Sequence, residues 1–256
     1  MTITALVTND DGIASEGLRR LALVALTAGL RTVVAAPREE ASGSSAALTA
    51  QQADGRIVVE RRDLEGVDGA DVYAVAGTPG FIALIASRGA FGAAPHVVLS
   101  GINRGANTGN AILHSGTVGA TLTARTHDCK ALAISLAGAD PVNWATAERV
   151  AREALALLLG IERPVVLNVN VPDVSPEQLR GIRRATLSAF GAVQTTITEI
   201  GHGYVKIGVS DSNAEHEPGT DAALLAAGFA TITPLEPICE QHAVALPGLD
   251  AHAIGV

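Results

Sequence analysis

Cysteine, aromatic side chains and positive charge are all scarce in this sequence of 256 residues. Its two cysteines, Cys129 and Cys239, lie far apart and form no CxxC, which sets aside zinc-ribbon and thioredoxin-like readings and favours a reducing compartment. Eighteen Lys and Arg stand against 26 Asp and Glu, for a formal net charge of −8. Such a field repels a phosphate backbone, and Arg19-Arg20, Arg61-Arg62 and Arg183-Arg184 are isolated pairs, so nucleic acid is not an expected partner. The apolar run Ala151 to Leu159 is too short and too flanked by charge to span a bilayer, so no membrane association is expected. The opening MTITALVTNDDG has no basic segment and reads as a first strand rather than a signal peptide; a cytoplasmic protein is the expectation. There is no GxxxxGK[ST], which excludes a P-loop NTPase, and no GxGxxG after the first strand, which disfavours a dinucleotide dehydrogenase.

Short aliphatic side chains take the place of the aromatics. Hydrophobic residues make up 48% of the chain, dominated by Ala, Val and Leu, which pack well between helices and a buried parallel sheet. A chain this long can bury roughly 75% of its unfolded surface, so neither disulfide nor metal is needed for folding. Strands are expected at Thr4 to Thr8, Thr32 to Ala36, Val72 to Val75, His96 to Ser100, Ala131 to Ser135 and Val165 to Val171. Between them, helices are expected after Ser15 as N-cap, after Thr78-Pro79, and from Trp144 to Leu159. This alternation predicts an α/β fold with a doubly wound, mostly parallel sheet. From about Arg180 the character changes, to a hairpin around Gly201-His202-Gly203, an acidic loop, a short helix and the strand Ala230 to Thr233. The chain is read as a single domain, 1–256, with a core of about 1–179 and a C-terminal hairpin and strand appendage of about 180–256. That appendage is expected to roof the site or to build a homodimer or homotetramer.

The polar clusters sit where such a sheet binds ligands, at the carboxyl ends of its strands. Asn9-Asp10-Asp11-Gly12 follows the first strand, Ser42 to Ser45 the second, and Asn103 to Asn107 the Val97 strand, while His114-Ser115-Gly116-Thr117 opens a helical stretch. Adjacent carboxylates are costly unless a cation neutralises them. Asp10 and Asp11, with hard oxygen donors from Ser42 and Asn103, suit one Mg²⁺ or Mn²⁺. Asp10, Asp11 and Asn103 are the catalytic candidates. Asn9, Ser44, Asn107, His114, Ser115, Gly116 and Thr117 are the candidates for phosphate or substrate, the last three as a cradle at a helix start. Blander readings stand beside these: a β-turn with an Asx cap at Asp10-Asp11-Gly12, and an ordinary N-cap at Ser115. Glu215-His216-Glu217 is read as solvated surface.

The segments VTNDDGIASEGL (Val7 to Leu18), AAPREEASGSSAALT (Ala35 to Thr49), AGTPGF (Ala76 to Phe81), SGINRGANTG (Ser100 to Gly109), HSGTVGA (His114 to Ala120) and GTDAALLAAGFATITPL (Gly219 to Leu235) resemble the survival protein E (SurE) family in order along the chain. The resemblance implies a Rossmann-like sheet, an oligomer built through C-terminal elements, and metal-dependent hydrolysis of nucleoside 5′-monophosphates. It places the metal ligands on Asp10, Asp11, Ser42 and Asn103. The chain departs from the family pattern at Arg38, at Gly80-Phe81-Ile82 and at Thr123-Ala124, none of which is an implied ligand. A haloacid-dehalogenase-type phosphatase needs one residue between its two acids, whereas Asp10 and Asp11 are adjacent. The remaining alternative is a nucleotide-binding sensor on the same fold that has lost turnover.

Overall fold

The computed structural model describes residues 2–189, 193–201, 204–211 and 217–239. Strand β1 (Thr4–Thr8) leads through helix α1 (Glu16–Thr27) to β2 (Arg31–Pro37). Strands β3 (Gln52–Ala53) and β4 (Arg56–Ile57) form a small hairpin, followed by β5 (Val59–Arg61) and β6 (Asp71–Val75). Helix α2 (Pro79–Ser87) precedes β7 (Val97–Arg104), a 3-10 segment (Gly109–His114) and α3 (Gly116–Arg125). Then come β8 (Lys130–Leu136), α4 (Trp144–Gly160) and β9 (Val166–Val171). The C-terminal part holds β10 (Ile182–Arg184), the antiparallel pair β11 (Val193–Gly201) and β12 (Tyr204–Asp211), α5 (Asp221–Ala226) and β13 (Ala230–Leu235).

Among the described residues, nine strands form the main sheet in the order β10-β13-β9-β8-β7-β1-β2-β6-β5. From β6 across to β9 every neighbour is parallel; β5 joins β6 antiparallel at one edge, and β13 joins β9 antiparallel near the other. The chain winds outward from β1 through β2 to β6, then returns to place β7 on the opposite side of β1. The strand order therefore reverses between β1 and β7, and a crevice opens at their carboxyl ends.

Alternation along each strand feeds two cores. Ala5, Val7, Leu99, Leu132 and Ile134 meet Leu18, Leu21 and Ala22 of α1 and Val150, Ala154 and Leu158 of α4. Leu6, Val98, Ala131 and Ala133 face the other way, onto Ile82 and Ala83 of α2 and Val118, Ala120 and Ala124 of α3. Fully burying a side chain such as Leu18 or Leu21 stabilises by about 1.5–3 kcal/mol. At the start of α1, Ser15 accepts from the Leu18 amide at 3.4 Å, while Glu16 lies against Arg19 and Arg20, which hold its carboxyl down at about 2.

Some local expectations change. The Val97 strand does not stop at Ser100: β7 continues through Arg104, because a bulge lets Asn103 and Arg104 resume pairing with Ser135 and Leu136 of β8. Thr78 stands at the N-cap of α2, but its hydroxyl donates to the carbonyls of Ala47 and Thr49 instead of capping the helix. Strands β3, β4, β5 and β10 carry no clear alternation in sequence and were not expected. The hairpin turn at 202–203 and residues 215–216 lie outside the described residues. No helix among the described residues is long and apolar enough to cross a membrane.

Candidate active site

Asn9 turns the chain out of β1. Its side chain is buried and donates to the Gly12 carbonyl at 3.2 Å and to Ser15 Oγ at 2.6 Å, closing a loop in which Gly12 takes φ of 96°. It thus holds the turn that carries the two aspartates. Asp10 is almost fully buried. Its carbonyl accepts from the Ala41 amide at 2.7 Å, which fastens the loop after β2 beside it. Its Oδ1 accepts from the Thr117 hydroxyl.

Burial raises the pKa of Asp10, against the opposing pull of Thr117 and the amides of Gly116 and Thr117. Asp11 is raised as well, first by burial and then by the neighbouring charge of Asp10. Arg104 opposes this: its amide reaches Asp11 Oδ2 at 3.3 Å and its Nε lies 3.5 Å from Oδ1. Two desolvated carboxylates side by side thus face one half-exposed guanidinium.

The bulge in β7 brings Asn103 to the same crevice. Its Nδ2 donates to the carbonyls of Gly105 at 2.8 Å and Arg104 at 3.2 Å, so the amide plane is fixed and Oδ1 is the end left to receive a ligand. The loop after β2 contributes serines differently from one another. Ser42 is exposed and donates to Glu40 Oε1 at 2.7 Å, whereas Ser44 Oγ is buried without a hydrogen-bond partner. Ser44 Oγ and Asp10 Oδ2 both crowd the place where a side chain on Gly116 would begin, at 2.6 and 2.8 Å. Gly116 therefore permits loop, aspartate and helix start to meet. Gly119 does the same one turn on, since a Cβ there would stand 2.1 Å from the Ser45 carbonyl oxygen.

The helix start at 115–117 is used by the protein itself. Ser115 accepts from the Val118 amide at 3.1 Å as N-cap, and Thr117 is fully buried with its hydroxyl on Asp10. The structure thus gives Thr117 a contact the sequence did not suggest: it orients a carboxylate rather than facing the crevice. His114 is exposed at the end of the 3-10 segment, and its carbonyl accepts from Ser45 N at 3.3 Å. Asn107 is consumed in a buried network. Its amide donates to Asn170 Oδ1 at 2.7 Å, its Nδ2 to Ser135 Oγ at 2.9 Å, and its carbonyl accepts from Asn168 and Asn170. Asp221 completes the anchoring, accepting from Gly109 N at 2.8 Å and Ser188 N at 2.9 Å.

Sequence reasoning missed Arg104, Ser135, Asn168, Asn170 and Asp221. The alternating asparagines of VLNVNV (Val166–Val171) were the available signal, because a buried strand does not carry two amides without partners for them.

The model of the survival protein SurE family matches residues 5–194, a span that contains every candidate residue from Asn9 to Thr117. The chain belongs to the SurE family. A protein named 5′-nucleotidase SurE from Methylococcus capsulatus is 36% identical over 236 residues, covering 90% of each chain. Another of that name, from Halorhodospira halophila, is 34% identical over 244 residues and 93% of each. The crystal structure of the SurE protein from Aquifex aeolicus matches with a TM-score of 0.76 at 27% identity, covering 94% of this chain and 96% of that one. The Rossmann-like α/β architecture is thus shared with that structure.

Proposed function

We propose that this SurE-family protein is a 5′-nucleotidase that hydrolyses nucleoside 5′-monophosphates with the help of one divalent metal ion, Mg²⁺ or Mn²⁺. The observation that carries this is the pair Asp10 and Asp11, buried side by side at the switch point, with Arg104 the one guanidinium leaning on them among the described residues. The relatives' names support the reaction class.

The residues present fit a hard cation. Two carboxylates, the Asn103 amide oxygen and a serine hydroxyl are all oxygen donors, and the orphaned Asn9 Oδ1 and Ser44 Oγ lie in the same loops. Asp10, Asp11, Asn103 and Ser42 would hold it, Ser42 exchanging Glu40 for the metal. When bound, such an ion supplies charge neutralisation and polarisation of a phosphoryl oxygen. The chain supplies the rest. Thr117 and the α3 amides fix Asp10, the Gly105 carbonyl fixes Asn103, and Arg104 offers N–H donors to phosphoryl oxygens where it now leans on Asp11. Ser44, whose hydroxyl lies beside the Gly116 helix start, is assigned to the phosphate.

Turnover of AMP and other nucleoside monophosphates in Mg²⁺ or Mn²⁺, lost in EDTA, is the expected result. A protein that binds AMP without any turnover would instead be the sensor. The serines separate metal from substrate. Ser42→Ala should raise the Mn²⁺ concentration for half-maximal rate about tenfold or more, since losing even a group that only braces a ligand costs that much, and excess Mn²⁺ should restore much of the rate. Ser44→Ala should raise KM at any metal concentration. The reverse pattern would move the serine ligand to Ser44.

We further propose assembly as a homodimer or homotetramer through the region after Arg180. The pair β11–β12 makes its own two-stranded sheet apart from the nine-stranded one, and a lone hairpin is marginal in water without a surface to rest on. Light scattering at micromolar protein should give at least twice the chain mass; a monomer would refute the assembly.

A further inference from the structure

A cavity of about 580 Å³ opens directly beside Asp11 and Arg104, and none of the chemistry above uses its far wall. That wall is made by Asp140, Val142 and Trp144. Its volume is within the roughly 300–1,000 Å³ of small-molecule sites.

The wall is firmly built. Asp173 accepts from Asn143 N at 2.8 Å, Asn143 Nδ2 at 3.1 Å and Val142 N at 3.1 Å, so the loop before α4 is tied to the loop after β9. This tied loop leaves Val142 with 76% of its surface in solvent, so its methyl groups are available to a ligand entering the cavity. Trp144, half-buried, begins α4. The guanidinium of Arg20 lies 5.9 Å from its ring centre, and Arg20 is itself held by Glu16 at 2.6 Å and Glu148 at 2.5 Å. An indole so braced loses little freedom when a flat group stacks on it. Asp140 is exposed at the rim and is an acceptor only.

A plane, an apolar edge and an anionic acceptor adjoining a phosphate site match one ligand chemistry: an aromatic base joined to a polyhydroxylated sugar. We infer that this cavity is the nucleoside subsite, with the base stacked on Trp144 against Val142 and the sugar hydroxyls donating to Asp140. The inference rests on the phosphatase reading for the position of the phosphate, at Asp11 and Arg104.

Trp144 is the chain's one tryptophan, so indole fluorescence reports on this wall alone. Titration with adenosine, which has no phosphate, should quench it saturably, and ribose 5-phosphate should leave it unchanged. The protein should bind adenosine about tenfold more tightly than 2′,3′-dideoxyadenosine, and Asp140→Asn should abolish that preference. In turnover, Trp144→Ala should lower kcat/KM at least about tenfold more for AMP than for glycerol phosphate, and Val142→Ser about threefold more, while Trp144→Phe keeps most of the AMP rate. Because Trp144 also packs on the core, Val142→Ser is the variant free of folding effects. Absence of saturable quenching by adenosine would overturn the subsite, as would an equal fall for both esters in Val142→Ser. Hydrolysis of both esters without adenosine quenching would sink the subsite and leave the phosphatase standing. Adenosine quenching with no hydrolysis of either ester would do the opposite.

Discussion

Asp11→Asn should abolish turnover of nucleoside monophosphates while leaving the metal-free protein at least as stable as the parent. The substitution keeps the shape of the side chain and removes one negative charge. On the proposed mechanism that charge holds the cation, and losing an electrostatic group aimed at the reacting centre costs about a thousandfold. Stability moves the other way. Burial and the Asp10 charge disfavour an ionised Asp11 in the folded state, so its folded pKa lies above the ordinary 3.8. Folding of the metal-free parent is therefore penalised as pH rises above 3.8, the penalty becoming full above the raised folded pKa and disappearing below 3.8. The asparagine variant escapes it. Thermal melts of both proteins in EDTA at neutral and acid pH, beside steady-state kinetics in Mn²⁺, read both halves. Parent-like turnover by Asp11→Asn would refute the metal site. A variant less stable than the parent in EDTA at pH 7 would show that the Arg104 contact outweighs the repulsion.

The second large effect is expected from Gly17→Ala. Glycine inside a helix usually costs about 0.5–1 kcal/mol relative to alanine, so this change would normally stabilise. Here a Cβ would stand 1.9 Å from the Ile102 carbonyl oxygen and 2.8 Å from its carbon, and both belong to backbone that cannot rotate away. Helix α1 and the bulged part of β7 would have to separate. Overpacking of this kind costs about 3 kcal/mol or more, which for a chain of this length lowers Tm by roughly 6–12 °C. Because Asn103 follows Ile102 directly, activity at permissive temperature should fall too. Gly160→Ala is the control: nothing lies within 4 Å of a Cβ there, and it sits in the last turn of α4. It should be neutral or slightly stabilising. If Gly17→Ala melts with the parent, the close approach of α1 to β7 is not a constraint on this fold.

Much of the site was legible because its parts are local. A buried β1 ending in Asn-Asp-Asp-Gly, and helices opening at Ser15 and Ser115, follow from strand alternation, turn chemistry and capping within a few residues of each position. The alternation of strands and helices likewise set the sheet class, since a parallel pair requires a crossover and the apolar periodicities show where each crossover runs.

What local pattern could not supply was the use of each polar group once the loops met. Thr117 and Asp10 are 107 residues apart, and whether the threonine hydroxyl faces a phosphate or a carboxylate depends on how deeply α3 docks, which Gly116 and Gly119 decide by lacking side chains. The same holds for Ser42 and Ser44, alike in sequence context but turned to solvent and to the Gly116 helix start by the packing of their loop on α3. Asn107 reads as a ligand-facing loop residue until β8 and β9 bring Ser135, Asn168 and Asn170 beneath it and take up its hydrogen bonds. The sequence by itself determined which chemical groups reach the carboxyl edge of the sheet, because that is dictated by short-range turn and strand signals. Only the tertiary structure decided which of them remain open to a ligand and which brace their neighbours, because a buried polar group must find its partner wherever the fold places one, at any distance along the chain.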